Sequence, residues 1–517
     1  MSYLKFDKNL LINLDQSLTK EMLRTNQAGA YQCTTLVGCN TRKQHGLLVI
    51  PIPEQDYRSH VLLSSLDETV IQHGAPFNLG IHRYKGGVLS PAGHKYIREF
   101  DCESVPRMTY RVGGVILTKE KIFISRENRI LIRYTLVEAH SATTLRFRPF
   151  LAFRDVNSLC VANDAVNRTV EHVSNGIATC LYNGYPTLYM QFSHKAQWVD
   201  EPNWYHDIEY VKDLERGVPY CEDLWVPGYF ELPIRKGESI IFSAGVSEVS
   251  PRSLTKLYEV EKASRTPRTS FFNCLKNSAK QFYIHRGDGT YIIAGFPWGK
   301  VLARNTFMAL PGLTLTIDHK ADFEAIAATA LKALIRYADT GETSKHIDGI
   351  DLPDIPLWAI WALQQYARTA GMDEARKLYL EPVTQLVDYI LRGGHPNLFV
   401  DEATGLLSTD GHDKAVSWMN STLGGAPVVR RTGMLVEFNA LWYNALMFAT
   451  SLAEGIADLA ERREAWLAQA EKMKQPFIDT FLNEAGYLYD YVDGTYADPS
   501  VRPNMAIAIG LDYSPLD

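Results

Sequence analysis

The chain has 517 residues, 46% of them hydrophobic and 22% charged, with a formal net charge of −6. That length implies about two or three domains, and the acidity excludes a protein built to hold nucleic-acid phosphates or a basic membrane surface. The composition fits an ordinary globular chain with a neutral or small-molecule substrate.

The opening stretch, MSYLKFDKNLLINLDQSLTKE, carries charges throughout and lacks an unbroken apolar segment, so no leader is expected. No run of about 18 apolar residues occurs, so no membrane span is expected. The cysteines Cys33, Cys39, Cys102, Cys160, Cys180, Cys221 and Cys274 are scattered, without a paired spacing or a zinc-like partner histidine. A reducing, cytoplasmic compartment follows, and no metal site.

Residues 1–260 read as β. KEKIFISRENRILIRYTLV (119–137) is two alternating runs joined at Arg126–Arg129, a hairpin. Residues 145–152, 181–192 and 238–248 repeat the alternation, and many short strands predict a β-sandwich. The polar stretch 249–269 is the expected connection, followed by a short helical run at 271–282, so a linker is placed at 261–282. From about 283 onward the spacing is helical: 322–338, 356–370, 373–392, 435–453 and 456–482 carry apolar residues three and four apart. Long loops rich in Gly, Asp, Pro and Trp separate these helices. The expectation for 283–517 is an (α/α) toroid of helical hairpins with its site in the loops at one end. About seven helices are too few for six hairpins, so the sequence is expected to end before the toroid closes; the alternative is an open helical layer.

The chemistry-bearing residues concentrate between Gly405 and Phe448. Trp418 and Trp442 offer faces for sugar C–H groups, while Arg430, Arg431, Glu437, Asn439 and Asn444 offer planar polar partners for hydroxyls. Upstream, Trp298 precedes Arg304-Asn305 at a loop–helix junction. This pair either grips vicinal hydroxyls or is a helix cap beside a solvated arginine. Asp354 stands at an N-cap position with Pro356 in the first turn and Trp358 behind it; capping alone is the common fate of such an aspartate. Glu437 opens a helix, where the dipole favours it with or without chemistry. His412 and Asp413 read as a solvated loop. No nucleotide-loop, zinc-helix or nucleophile-elbow motif occurs in a supporting context.

Taken together these blocks resemble the glycogen debranching enzyme family of bacterial and archaeal type, with its amylo-α-1,6-glucosidase toroid. The likeness rests on Asn40-Thr-Arg-Lys-Gln-His45, LLSSLDETV at 62–70 and EYVKDLERGVPYCEDLWVPG at 209–228. It continues through AGFPWGKVLARNTFMALPGLTL, DIPLW, VSWMN, VEFNALWYNAL and Val501-Arg-Pro-Asn504. The resemblance implies inverting hydrolysis of the α-1,6-linked glucosyl stub of glycogen or branched maltodextrin, with no cofactor. Inversion needs one carboxylic acid for the leaving oxygen and a second carboxylate for water. The resemblance implies that Arg304 and Asn305 hold the non-reducing glucose; Trp298, Asp354, Trp358, Trp418, Arg430, Asn439 and Trp442 are the other candidate substrate-binding residues. Two positions depart from the family: Asn420 stands where its acid aspartate is expected, and Asn305 where it has an aspartate. The family's base is expected in a further C-terminal segment. A carboxamide donates hydrogen bonds but no acidic proton. Glu437 is then the first replacement acid, followed by Asp410 and Asp354. The competing expectations are a glucan-binding protein of the same family without turnover, or a trehalase-like or phosphorolytic relative on the same plan.

Overall fold

Alternation of apolar and polar residues builds two large antiparallel sheets from the first half of the chain. The computed structural model describes residues 2–297 and 299–516. The chain divides into two compact units: Met1–His285 with Gly295–Gly299, and Arg286–Ala294 with Lys300–Asp517.

In the first unit a nine-stranded sheet runs in the order Lys5–Asp7, Ile97–Cys102, Pro106–Val112, Val115–Phe123, Arg129–Glu138, Ser239–Gly245, Leu188–Phe192, Gly176–Thr179 and Glu171–Val173. A ten-stranded sheet is built around Arg58–Gln72, Thr143–Asp155 and Cys221–Ile234. The expected hairpin is present, with Lys119 opposite Tyr134 and Phe123 opposite Ile130. Its turn holds Arg126 at φ 62°. Inward residues of both sheets form one buried cluster: Leu117, Phe123 and Ile132 from the first, Val70, Phe147 and Phe230 from the second. Along Val115–Phe123 the same inward parity carries two lysines, Lys119 and Lys121, among the apolar positions.

Among the described residues, five helices belong to this unit: α1 (Lys8–Ile12), α2 (Leu14–Ser17), α3 (Val211–Glu215), α4 (Leu254–Ala263) and α5 (Phe271–Lys280). The stretch expected to be connection is therefore partly structural. Leu254 and Tyr258 of α4 join Ile122, Leu131 and Ile241 in a cluster on the outer face of the first sheet. Two other expectations shift. Only Leu188–Phe192 of the 181–192 run is strand, because Asn183-Gly184 turns the chain before it. Residues 283–292 are not helical: Tyr283–Arg286 and Gly289–Ile292 are strands, as their β-branched and aromatic content favours.

The second unit is helical. It holds α6 (Ala303–Thr314), α7 (Lys320–Thr340), α8 (Ile355–Ala370), α9 (Met372–Leu391), α10 (Val436–Leu452), α11 (Ala460–Phe481) and α12 (Asn504–Ile509). Gly341, at φ 73°, ends α7 and donates its N–H to the Tyr337 carbonyl, a left-handed cap that suits glycine. α10, VEFNALWYNALMFATSL, is apolar nearly all round and lies at the centre, packed on α8, α9, α11 and α12. No helix is long and apolar enough to cross a membrane among the described residues.

Candidate active site

Two buried arginine–carboxylate clusters in the helical unit are tied together by one short segment, Val416–Trp418. The first begins at the start of α6. Arg304 donates from Nε to Asp354 Oδ2 at 2.6 Å and from Nη2 to Oδ1 at 2.9 Å. The Trp358 indole N–H adds a bond to Oδ2 at 3.2 Å. Asp354 is fully buried and occupies the N-cap position of α8, yet its side chain makes no cap bond. The ion pair has taken the carboxylate that the helix end would otherwise use. Burial pushes the Asp354 carboxyl above its ordinary value, and Arg304 pulls it part of the way back.

The second cluster is centred on Arg431, which follows the exposed Arg430. Arg431 donates to both Glu437 oxygens at 2.5 and 2.7 Å, to Asp490 Oδ2 at 2.8 Å and to Ser417 Oγ at 3.2 Å. Arg502 adds a bond to Asp490 Oδ2 at 2.7 Å. Burial pushes Glu437 upward, opposed by Arg431. Burial works against the Arg431 cation, but Glu437 and Asp490 outweigh it and hold its pKa above the ordinary value.

The segment between them does the joining. Arg304 Nη2 reaches the Val416 carbonyl at 3.4 Å, and Ser417 belongs to the Arg431 cluster. Trp418 follows, half-buried, its indole N–H donating to Asn504 Oδ1 at 2.7 Å. Asn504 in turn donates to Asp490 Oδ1 at 2.6 Å. The indole is thus tied through Asn504 to Asp490. Close packing supports this turn: an added Cβ at Gly411 would lie 1.8 Å from the Arg431 carbonyl oxygen.

The residues selected from the sequence sort into distinct places. Arg304, Asp354, Trp358, Trp418 and Glu437 meet in this network. Asn305, Asn420 and Arg430 are exposed, and none makes a side-chain hydrogen bond among the described residues. Trp298 lies outside the described residues. Three expectations need correction. Asn439 is not open to a ligand: its amide accepts from Leu407 N at 2.6 Å and donates to the Leu407 and Leu435 carbonyls, each at 3.0 Å. Trp442 is fully buried in α10 and is core, not a sugar platform. Glu437 is 1% exposed and held bidentately by Arg431, so its carboxyl faces the protein interior rather than a substrate. Asp410 is exposed and takes the N–H and ring of His412, at 3.0 and 2.9 Å, which depress it. Asn444 also serves the frame, exchanging both amide bonds with Gln364 at 3.1 and 2.8 Å.

The sequence reading passed over Ser417 and Asp490. Asp490 is buried just before the strand Tyr491–Asp493, outside any periodic element that would have marked it in the sequence. A cleft of about 1230 Å³ opens between the 286–291 segment, α7 and the 341–347 loop, but none of the selected residues lines it.

A family model described as "Glycogen debranching enzyme N terminal" matches residues 20–241, and one described as "Amylo-alpha-1,6-glucosidase" matches residues 277–517. No curated protein sequence matches. Among solved structures, a bacterial glucoamylase complexed with acarbose is similar at 11% identity and a TM-score of 0.48, the likeness covering 94% of this chain and 69% of that one.

Proposed function

The chain belongs to the glycogen debranching enzyme family, and from that premise we propose that it hydrolyses the α-1,6-linked glucosyl branch stub of glycogen or limit dextrin with inversion. The helical unit acts as the glucosidase domain on an (α/α) toroid plan, and the two-sheet unit is its N-terminal domain. The observation that carries the reading is Trp418, an indole locked by Asn504 between two buried arginine–carboxylate clusters. Such a face stacks on a pyranose ring, and rigid support keeps it aligned.

In this reading Arg304, Asp354, Trp358, Arg431, Glu437 and Asp490 position the site without touching the scissile bond. The exposed amides of Asn305 and Asn420, with the Arg430 guanidinium, meet substrate hydroxyls. Asn420 sets the rate. Its amide hydrogen-bonds the leaving oxygen but delivers no proton, and acid assistance is worth about 10²–10⁴-fold. Hydrolysis by this chain is therefore slow.

The same residue favours a second reading, a glucan-binding protein of this family without turnover. Phosphorylase limit dextrin separates the two. The first reading predicts slow release of glucose as the β-anomer, detected by NMR. Binding with no glucose release, by the wild type and by Asn420→Asp alike, sinks it.

A further inference from the structure

The two inward lysines of the strand Val115–Phe123 are unbalanced. Lys119 pairs with Glu68 of the facing sheet, and Tyr134 donates to the same Glu68 oxygen at 2.5 Å. Lys121, two residues on and on the same face, has no carboxylate or hydrogen-bond partner among the described residues. Two ammonium groups, both on half-buried side chains, thus face one carboxylate between two sheets.

The space beside them is a cavity of about 40 Å³, walled by Lys119, Lys121, Glu68, Tyr110, Met108 and Phe100. One further donor points to an occupant. Tyr110 is 5% exposed and its hydroxyl has no partner among the described residues. Donors thus outnumber acceptors. The size decides the class. A water needs about 10–15 Å³ of such volume, and ligand pockets for drug-sized molecules run to about 300–1,000 Å³. The cavity holds a few atoms, not a sugar.

We propose that this cavity binds one small monovalent anion of the halide class, held by Lys121 and Lys119 and by the Tyr110 hydroxyl. Charge counting selects it over carbamate formation on the Lys121 amine by carbon dioxide. A bound anion beside a protonated Lys121 leaves Lys119, Lys121, Glu68 and the ligand neutral together. A carbamate would leave a net negative charge beside Glu68. Without an anion, burial, aided by Lys119 and Arg24 and opposed by Glu68, lowers Lys121 to about 7. Tyr110 faces the same space, Tyr134 is bonded to Glu68, and Asp67 is engaged by His82 at 2.9 Å. Anion binding therefore takes up a proton from solution above neutral pH.

The test uses the full chain crystallised in sodium bromide, with data at the bromine edge, and melting temperatures in sodium chloride against sodium gluconate at equal ionic strength. The expected results are an anomalous peak between the two lysine Nζ atoms and a Tm about 1–2 °C higher in chloride. Lys121→Met has the same surface apart from this group, so general salt effects remain and the chloride-specific increment disappears. No peak at that position overturns the proposal, whatever the variant does. So does a chloride increment that survives in a folded Lys121→Met protein. Bicarbonate-dependent mass on Lys121 after alkylative trapping would assign the cavity to the carbamate instead.

Discussion

Replacing Arg431 by Met removes the group that, among the described residues, bonds both Glu437 and Asp490 in the interior. Among the described residues Arg431 makes every side-chain hydrogen bond that Glu437 accepts, while Asp490 keeps Arg502 and Asn504. Breaking a buried pair from one side costs about 3–5 kcal/mol, because the remaining charge is left uncompensated. Glu437 is already biased toward its protonated form by burial, so it neutralises rather than stay charged. That escape places the expected loss at the lower end, about 3 kcal/mol. Equilibrium urea unfolding of Arg431→Met, together with hydrogen exchange of the α10 amides, reads this directly. The sign with pH is fixed. A carboxyl raised in the folded state contributes stability below its unfolded pKa and loses it as pH rises through the folded one. The variant therefore weakens relative to wild type as pH rises above the ordinary glutamate range. A loss under about 1 kcal/mol, or no change of the gap with pH, would refute the view that Arg431 holds this end of the site together.

Three further substitutions probe separate parts of the account. Asn439→Ala leaves the Leu407 N–H and carbonyl without their side-chain partners, and costs about 2–3 kcal/mol by urea unfolding. Gly411→Ala drives a methyl toward the Arg431 carbonyl oxygen 1.8 Å away; it lowers Tm and speeds exchange at Arg431 and Thr432. In the two-sheet unit, His45, opposed by burial and aided by Arg42, lowers Glu21 from 4.5 to about 2. This depressed carboxyl contributes stability above its unfolded pKa, lost as pH falls through the folded one. Because Glu21 is partly exposed, solvent screening reduces its contribution to about 1 kcal/mol. Glu21→Gln is therefore less stable by that amount at neutral pH, and the gap closes as pH falls from about 4.5 toward 2.

The periodic parts of this molecule were legible in the sequence because periodicity is a direct imprint of burial. Alternation along 119–137 gave the hairpin with its turn, and three- and four-residue spacing located α7 to α11 within a few residues. The strands at 283–292 were misread because a short apolar run has no period of its own. In the site, residue type could say that an arginine and a carboxylate belong together, but not which ones. Arg430 and Arg431 are adjacent; one is exposed and the other 2% exposed, because the chain enters the interior between them. Asn439 looked like a hydroxyl partner and is instead a bracket for Leu407, a role set by a loop distant in sequence. Trp442 shares its helix with so many apolar residues that its burial was the simpler reading.

Asn420 bears most directly on the proposed activity. The measurement is the initial rate of glucose release from phosphorylase limit dextrin by wild type and Asn420→Asp, at equal protein and saturating substrate. The account predicts slow release by the wild type and a rise of about 10²-fold or more in kcat on restoring the carboxyl, with little change in KM. An equal or lower kcat for Asn420→Asp, in a protein that folds and binds the dextrin as the wild type does, would contradict it.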